Sequence, residues 1–149
     1  MAHADHDELV AELNALLEAE RAGARVGASL AAQARGGAFE TLARLVQADE
    51  VKWARALHEA IVALDAAPSQ AVGDFYGKAM AIAGLEARLA FVNRGQGWVV
   101  RKLRDLIPRV EAEPLRSVLQ AMLDAHVANI EAANAALAAA GPNPGPGAP

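Results

Sequence analysis

The sequence predicts an all-α protein, a four-helix bundle in which a long crossover joins the second helix to the third. Three observations carry that expectation. Alanine supplies 38 of the 149 residues, against one threonine, three serines, twelve valines and four isoleucines, a balance that favours helix and starves β-sheet. Apolar residues recur at spacings of three and four along four separate stretches. The gaps after the first and third stretches are short, whereas the middle one runs to about 20 residues, too long for a hairpin turn. A chain of this length suits one domain.

The first stretch runs from about Asp7 to Ala34, with Leu9, Leu13, Leu16, Leu17, Leu30 and Ala31 on one face, acids early and no proline. Arg35-Gly-Gly37 breaks it. Phe39, Leu42, Val46, Trp53, Leu57, Ile61 and Leu64 then mark the second helix, antiparallel to the first because the turn is so short. The third spans about Leu85 to Ile107, with Leu85, Leu89, Val92, Val100, Leu103 and Ile107 inward and Pro108 closing it. The fourth begins near Pro114, a favourable first-turn proline, and carries Leu115, Leu119, Met122, Ile130 and Leu137 on one face.

Between the second and third helices lies a short helical pattern, Val72 to Ala83. About 11 helical and about 8 extended residues reach a little over 40 Å, enough to travel along a helix of about 36 Å. Residues 1–6 are expected to form a flexible N-terminus and 7–140 the bundle. Residues 141–149, alternating helix breakers with nothing apolar to bury, are expected to be a disordered tail.

Several function classes fall away on composition. The net charge of −4 supplies no field to attract nucleic acid or an acidic membrane. The absence of cysteine excludes disulfides, zinc–thiolate sites, Fe–S clusters and a cysteine nucleophile. The start is not a basic segment leading into an apolar run, and no uncharged apolar stretch of about 18 residues occurs, so a soluble, cytoplasmic protein is expected. The hydroxyls of Ser29, Thr41, Ser69 and Ser117 stand in no nucleophile-elbow motif. The Gly-x-Gly around Gln96 lies inside a helix and not after a strand, so no nucleotide or organic cofactor is indicated.

The informative feature is polar. At about 100° per residue, Glu20 falls in the centre of the first helix's apolar face, whereas Glu18 and Arg21 point elsewhere. On the second helix Trp53 is central and Asp49 and Glu50 flank it; on the third Gln96 is central beside Asn93. On the fourth, His126 is central with Asn129 one turn on. All lie near the midpoints of their helices, and midpoints of bundled helices share one height. Carboxylates and imidazole converging inside a bundle are a donor set for iron, manganese or zinc. The competing reading is a metal-free hydrogen-bonded network, with His126 protonated against Glu20 or Glu50 and the amides filling the remaining valences.

These mid-helix residues, with Gly73-Asp-Phe-Tyr-Gly-Lys-Ala-Met-Ala-Ile82 and Arg88-Leu-Ala-Phe-Val-Asn-Arg-Gly-Gln-Gly-Trp-Val-Val-Arg-Lys-Leu103, resemble the ferritin-like superfamily, in particular a small bacterial ferritin-like family of unassigned function. The resemblance covers about residues 8–138. The superfamily's di-iron pattern is Glu, Glu-x-x-His, Glu, Glu-x-x-His on its four helices. Here Glu20 matches the first helix, Glu50-x-x-Trp53 keeps the glutamate of the second, Asn93 or Gln96 replaces that of the third, and Leu123-x-x-His126 keeps the histidine of the fourth. With half the ligands kept, the resemblance implies one metal ion bound by Glu20, Glu50 and His126, with Asp49 or water, and Trp53, Asn93, Gln96 and Asn129 around them. Metal storage, sensing or redox protection are the implied roles, and a homodimer the implied assembly. The alternative is a metal-free structural or interaction bundle.

Lesser signals complete the reading. Phe91 and Trp98 point away from the third helix's core face and need cover, from the crossover with Phe75 and Tyr76 or from a second copy. Gly95 and Gly97 in mid-helix imply a close approach to that backbone. Arg88, Arg94, Arg101, Lys102, Arg104 and Arg109 are expected to form a solvated face that pairs with the acids of the first helix. His3 and His6 receive no function.

Overall fold

The computed structural model describes residues 3–141. Among them there are five α-helices and no strand: α1 (His6–Gln33), α2 (Glu40–Ala63), α3 (Phe75–Ala81), α4 (Leu85–Leu106) and α5 (Leu115–Ala140). The expected tail from Pro142 onward, like Met1 and Ala2, lies outside the described residues. No helix is long and apolar enough to cross a membrane.

Helix α1 starts one residue before the expected Asp7 because Asp5 caps it. The Asp5 carboxylate accepts the Glu8 amide at 2.8 Å while Glu8 reaches back to the Asp5 amide, so two of the first turn's orphan N–H groups are satisfied. The segment before it is tied down as well: the Ala4 amide donates to the Arg109 carbonyl, and the His6 ring bonds the Leu64 carbonyl at 2.9 Å. Gly36, at a φ of 78°, turns the chain from α1 into α2.

Helix α3 is shorter than the Val72–Ala83 pattern. Gly73 takes a positive φ before it, and Ile82 is extended after it, so only the 7 residues Phe75–Ala81 are helical. The connection is strapped to α1 by the polar residues that point away from the core. The Arg21 guanidinium donates to the carbonyls of Ser69 and Ala71, Asn14 accepts the Ser69 amide at 2.7 Å, and Glu18 accepts the Ser69 hydroxyl. At its far end Arg88 donates to the carbonyls of Met80 and Ile82 and to Gln33.

Phe75 stacks on Phe91, ring centroids 5.0 Å apart, and its ring lies where a Cβ on Gly95 would be, 2.9 Å away. The connection between α2 and α4 therefore covers Phe91 and accounts for Gly95, whereas Trp98 stays about 36% exposed. The basic residues of α4 do not pair with acids of α1 as expected. Arg88 does reach α1, but donates there to the neutral Gln33 and otherwise to carbonyls of the connection, and Arg109, in the turn after α4, bonds Asp105 of that helix at 3.0 Å.

The core falls into two apolar clusters. One holds Leu13, Leu16 and Leu17 of α1, Trp53, Leu57 and Ile61 of α2, Leu103 and Leu106 of α4, and Leu119 and Met122 of α5. The other holds Val26 and Leu30, Leu42 and Val46, Leu89 and Val92, and Ala133 from the same helices, with Ala79 of α3. Buried polar residues separate the two on each long helix: Glu20 on α1, Glu50 on α2, Gln96 on α4, and His126 with Asn129 on α5.

Candidate metal centre

Glu20, Glu50 and His126 are all buried, and each offers a ligand atom such that these atoms lie within 4.8 Å of one another. They converge because each sits near the middle of its helix, on the face that the leucines and valines turn inward. His126 Nδ1 lies 2.9 Å from the Met122 carbonyl. A carbonyl only accepts, so Nδ1 carries the hydrogen and Nε2 is the nitrogen turned toward the carboxylates. Nε2 stands 2.7 Å from Oε1 of Glu20, yet not in hydrogen-bonding alignment. Neither it nor either oxygen of Glu20 has a hydrogen-bond partner, although all three atoms are buried.

Burial pushes the Glu20 carboxyl up to about 7, with the neighbouring Glu50 opposing the rise and the charge of Asp49 adding to it. Glu50 is raised well above the usual carboxylate range, first by burial and then by the charge of Glu20. Two carboxylates this close cannot both ionise in a dry core without a compensating cation or proton. Gly23, one turn after Glu20, makes the room: a Cβ there would stand 2.7 Å from Oε2 of Glu50. Gly27 does the same for the helix backbones, since its Cβ would meet the Gln47 Cα at 2.9 Å.

The donor set fits a transition metal. Carboxylate oxygens and imidazole nitrogen bind such ions at about 2.0 to 2.2 Å, which places ligand atoms about 3 to 4 Å apart, within reach of small side-chain rotations here. The Nδ1–H bond to a carbonyl is the usual device that orients a ligating histidine and raises its basicity. Two carboxylates and a neutral imidazole carry a charge of −2, which a divalent ion would cancel.

The remaining expected residues divide. Asp49 is half-buried and stands apart from the trio, its Oδ2 accepting the Asn129 amide at 2.8 Å. Trp53 is buried with its Nε1 hydrogen unpartnered, and Gln96 is buried with an unpartnered Oε1. Asn93 turns to Asn134, donating at 2.8 Å, and does not join the trio. Sequence reasoning missed Gly23, although a Gly-x-x-x-Gly pair inside a long helix, where each glycine is unfavourable by about 1 kcal/mol, was the signal available.

Fold and site together define an all-α protein with a buried carboxylate–imidazole cluster between two apolar halves of its core. Over residues 7–136 the chain matches the family described as a domain of unknown function, DUF6306, and it belongs to that family. No curated protein matches the chain, and no solved structure does.

Proposed function

We propose that the protein is a ferritin-like bundle that binds one transition-metal ion, iron, manganese or zinc, through Glu20, Glu50 and His126, in metal handling or redox protection. The observation that carries this reading is the convergence of three buried ligand groups, with both oxygens of Glu20 and Nε2 of His126 lacking hydrogen-bond partners. A metal would satisfy all of them and cancel their charge. What it would supply is Lewis acidity or a redox couple; the chain's own part is to hold the ligands, fix the His126 tautomer through Met122 and keep water from the layer.

The ferritin-like topology is supported by the order of the two core clusters along each helix. Leu13 to Leu17 precede Glu20, and Leu119 and Met122 precede His126, whereas the same cluster follows Glu50 on α2 and Gln96 on α4. That order makes α2 and α4 run the same way, as a crossover of full bundle length requires and an up-down-up-down bundle forbids. A cytoplasmic setting and a homodimer belong to the same proposal, the exposed part of Trp98 being the support for a contact between copies.

The test is elemental analysis of protein purified without a histidine tag, with melting measured before and after chelation. A bound ion at a hundredfold excess over Kd stabilises by about 2.7 kcal/mol, so the chelator should lower the melting temperature, and Glu20→Gln or His126→Leu should erase that response. One observation favours a second reading. The 2.7 Å approach of His126 Nε2 to Glu20 suits an imidazolium–carboxylate pair in a metal-free structural bundle. Metal-free protein, indifferent to chelator and to added iron, manganese or zinc, would overturn the first reading in favour of the second.

A further inference from the structure

Beside the Glu/His layer the structure holds a half-open cleft of about 320 Å³, lined by α1, α4 and residues 72–75 of the connection between α2 and α4, and reaching Glu50. That volume lies at the lower end of the range of small-molecule sites. Small residues make the room. Ala15, Ala19, Ala22 and Gly23 occupy one face of α1, where longer side chains would close the space.

The walls are apolar. Val92 and Val99 of α4 and the rings of Phe75 and Trp98 complete them. Phe75 is fixed by its stack on Phe91 and by Gly95, whose lack of a Cβ leaves space for the ring. The polar groups of the lining are already engaged or shut off. Asp74 pairs with Lys78 at 3.1 Å and keeps its side chain 82% exposed, so it belongs to the rim. Glu18 accepts the Ser69 hydroxyl, Glu50 belongs to the Glu/His layer, and Gln96 Oε1 is enclosed. A charged guest would give up its hydration here for little return, whereas an apolar one gains by leaving water.

We infer that this cleft is a binding site for a small uncharged aromatic molecule, held against the rings of Phe75 and Trp98 and the alanine face of α1. Aromatic pairs gain beyond the area they bury, which favours a ring over an aliphatic guest of equal size. The volume suits a free small molecule and not a helix of a partner, which would need an open groove along its length. A guest reaching Glu50 lies beside the metal layer, so this is the class of molecule that an ion there would meet. The binding itself goes beyond the metal reading and stands with or without an ion.

The titrations therefore use protein dialysed against EDTA, and loss of the metal reading leaves their outcome intact. The probes are p-xylene, p-xylylenediamine and terephthalate, which share one ring and differ in what both ends carry, followed through the backbone amides of Gly73 and Gly95 by NMR. p-Xylene should bind and shift both amides. Neither charged probe should bind measurably, because with a charge at each end one of the two must enter the cleft. Trp98→Ala, at the partly exposed wall, should weaken p-xylene about tenfold. Ala19→Phe, at a half-buried wall position, should abolish binding; Ala15→Phe serves if that variant fails to fold. Either charged probe binding as tightly as p-xylene, p-xylene binding undiminished in a folded wall variant, or no binding of p-xylene at all would each overturn the proposal.

Discussion

Among the described residues histidine and carboxylate come together in two places, with opposite consequences. At the N-terminal end His3 meets Glu111 at 3.3 Å and His6 meets Asp7 at 3.5 Å, all four side chains more than half exposed. At mid-core His126 meets Glu20 at 2.7 Å with both side chains fully withdrawn from water. The residue types are the same. What differs is the solvent: in water each charge keeps its hydration and the pairs contribute little, whereas in the core each charge needs a partner. The comparison teaches that a candidate site is a property of burial and convergence and not of composition.

The largest effect should come from breaking the buried group. His126→Ala strands Glu20 and Glu50 in the core and should destabilise the protein by about 3 to 5 kcal/mol in urea unfolding, with metal content falling to background. Replacing Glu20, Glu50 and His126 together by leucines should abolish metal binding yet leave stability at or above that of the metal-free wild type, because no uncompensated charge remains.

Next in size is the response to pH. Glu20 rises from the usual value of 4.5 to about 7 in the folded protein, so the native state holds a proton that the unfolded chain has released over that window. This group should therefore cost the metal-free protein about 3 kcal/mol as pH climbs from about 4.5 through 7, and Glu50, raised well above its usual range, adds to the loss in the same direction. Glu20→Gln should reduce that slope. Metal affinity should run the other way, rising with pH as the ligands deprotonate. His6 sharpens the contrast. Its pKa is raised by the Leu64 carbonyl and then by Asp7, so it stabilises at low pH and loses that contribution as pH rises, but at a fully exposed position. His6→Ala should leave the slope between pH 4.5 and 7 in place.

A smaller effect is expected of Gly23→Ala. Its Cβ would stand 2.7 Å from Oε2 of Glu50 and push that carboxylate out of the trio, at about 1 to 3 kcal/mol in denaturation and with weaker metal binding by titration. The smallest effect is expected at the surface group: His3→Ala with His6→Ala should leave metal stoichiometry at mid-core unchanged.

The buried trio was legible in the sequence because three facts coincided. Glu20 and His126 each interrupt an apolar stripe on the inward side and Glu50 flanks one, each lies at mid-helix, and helical periodicity projects these facts onto one height. Asp49 and Asn93 share much of that projection and still end elsewhere, one with Asn129 and the other with Asn134. Residues flanking a stripe lie within reach of both the core and the neighbouring groove, and the angle alone does not choose between them.

The sequence by itself determined the elements and the inward faces, since propensity, capping and apolar spacing are properties of a few consecutive residues. Asp5 and Glu8 start α1, the glycines at 36 and 37 end its hairpin, and the leucine stripes decide what is buried. Only the tertiary structure decided which polar groups are left without partners, where the connection between α2 and α4 lies, and that the Phe75 ring fills the space over Gly95. Arg21, Glu18 and Asn14 look like ordinary surface residues of α1 until Ser69 and Ala71, about 50 positions away, come to meet them. Such contacts depend on where whole segments lie against one another, which spacing within a few consecutive residues does not record.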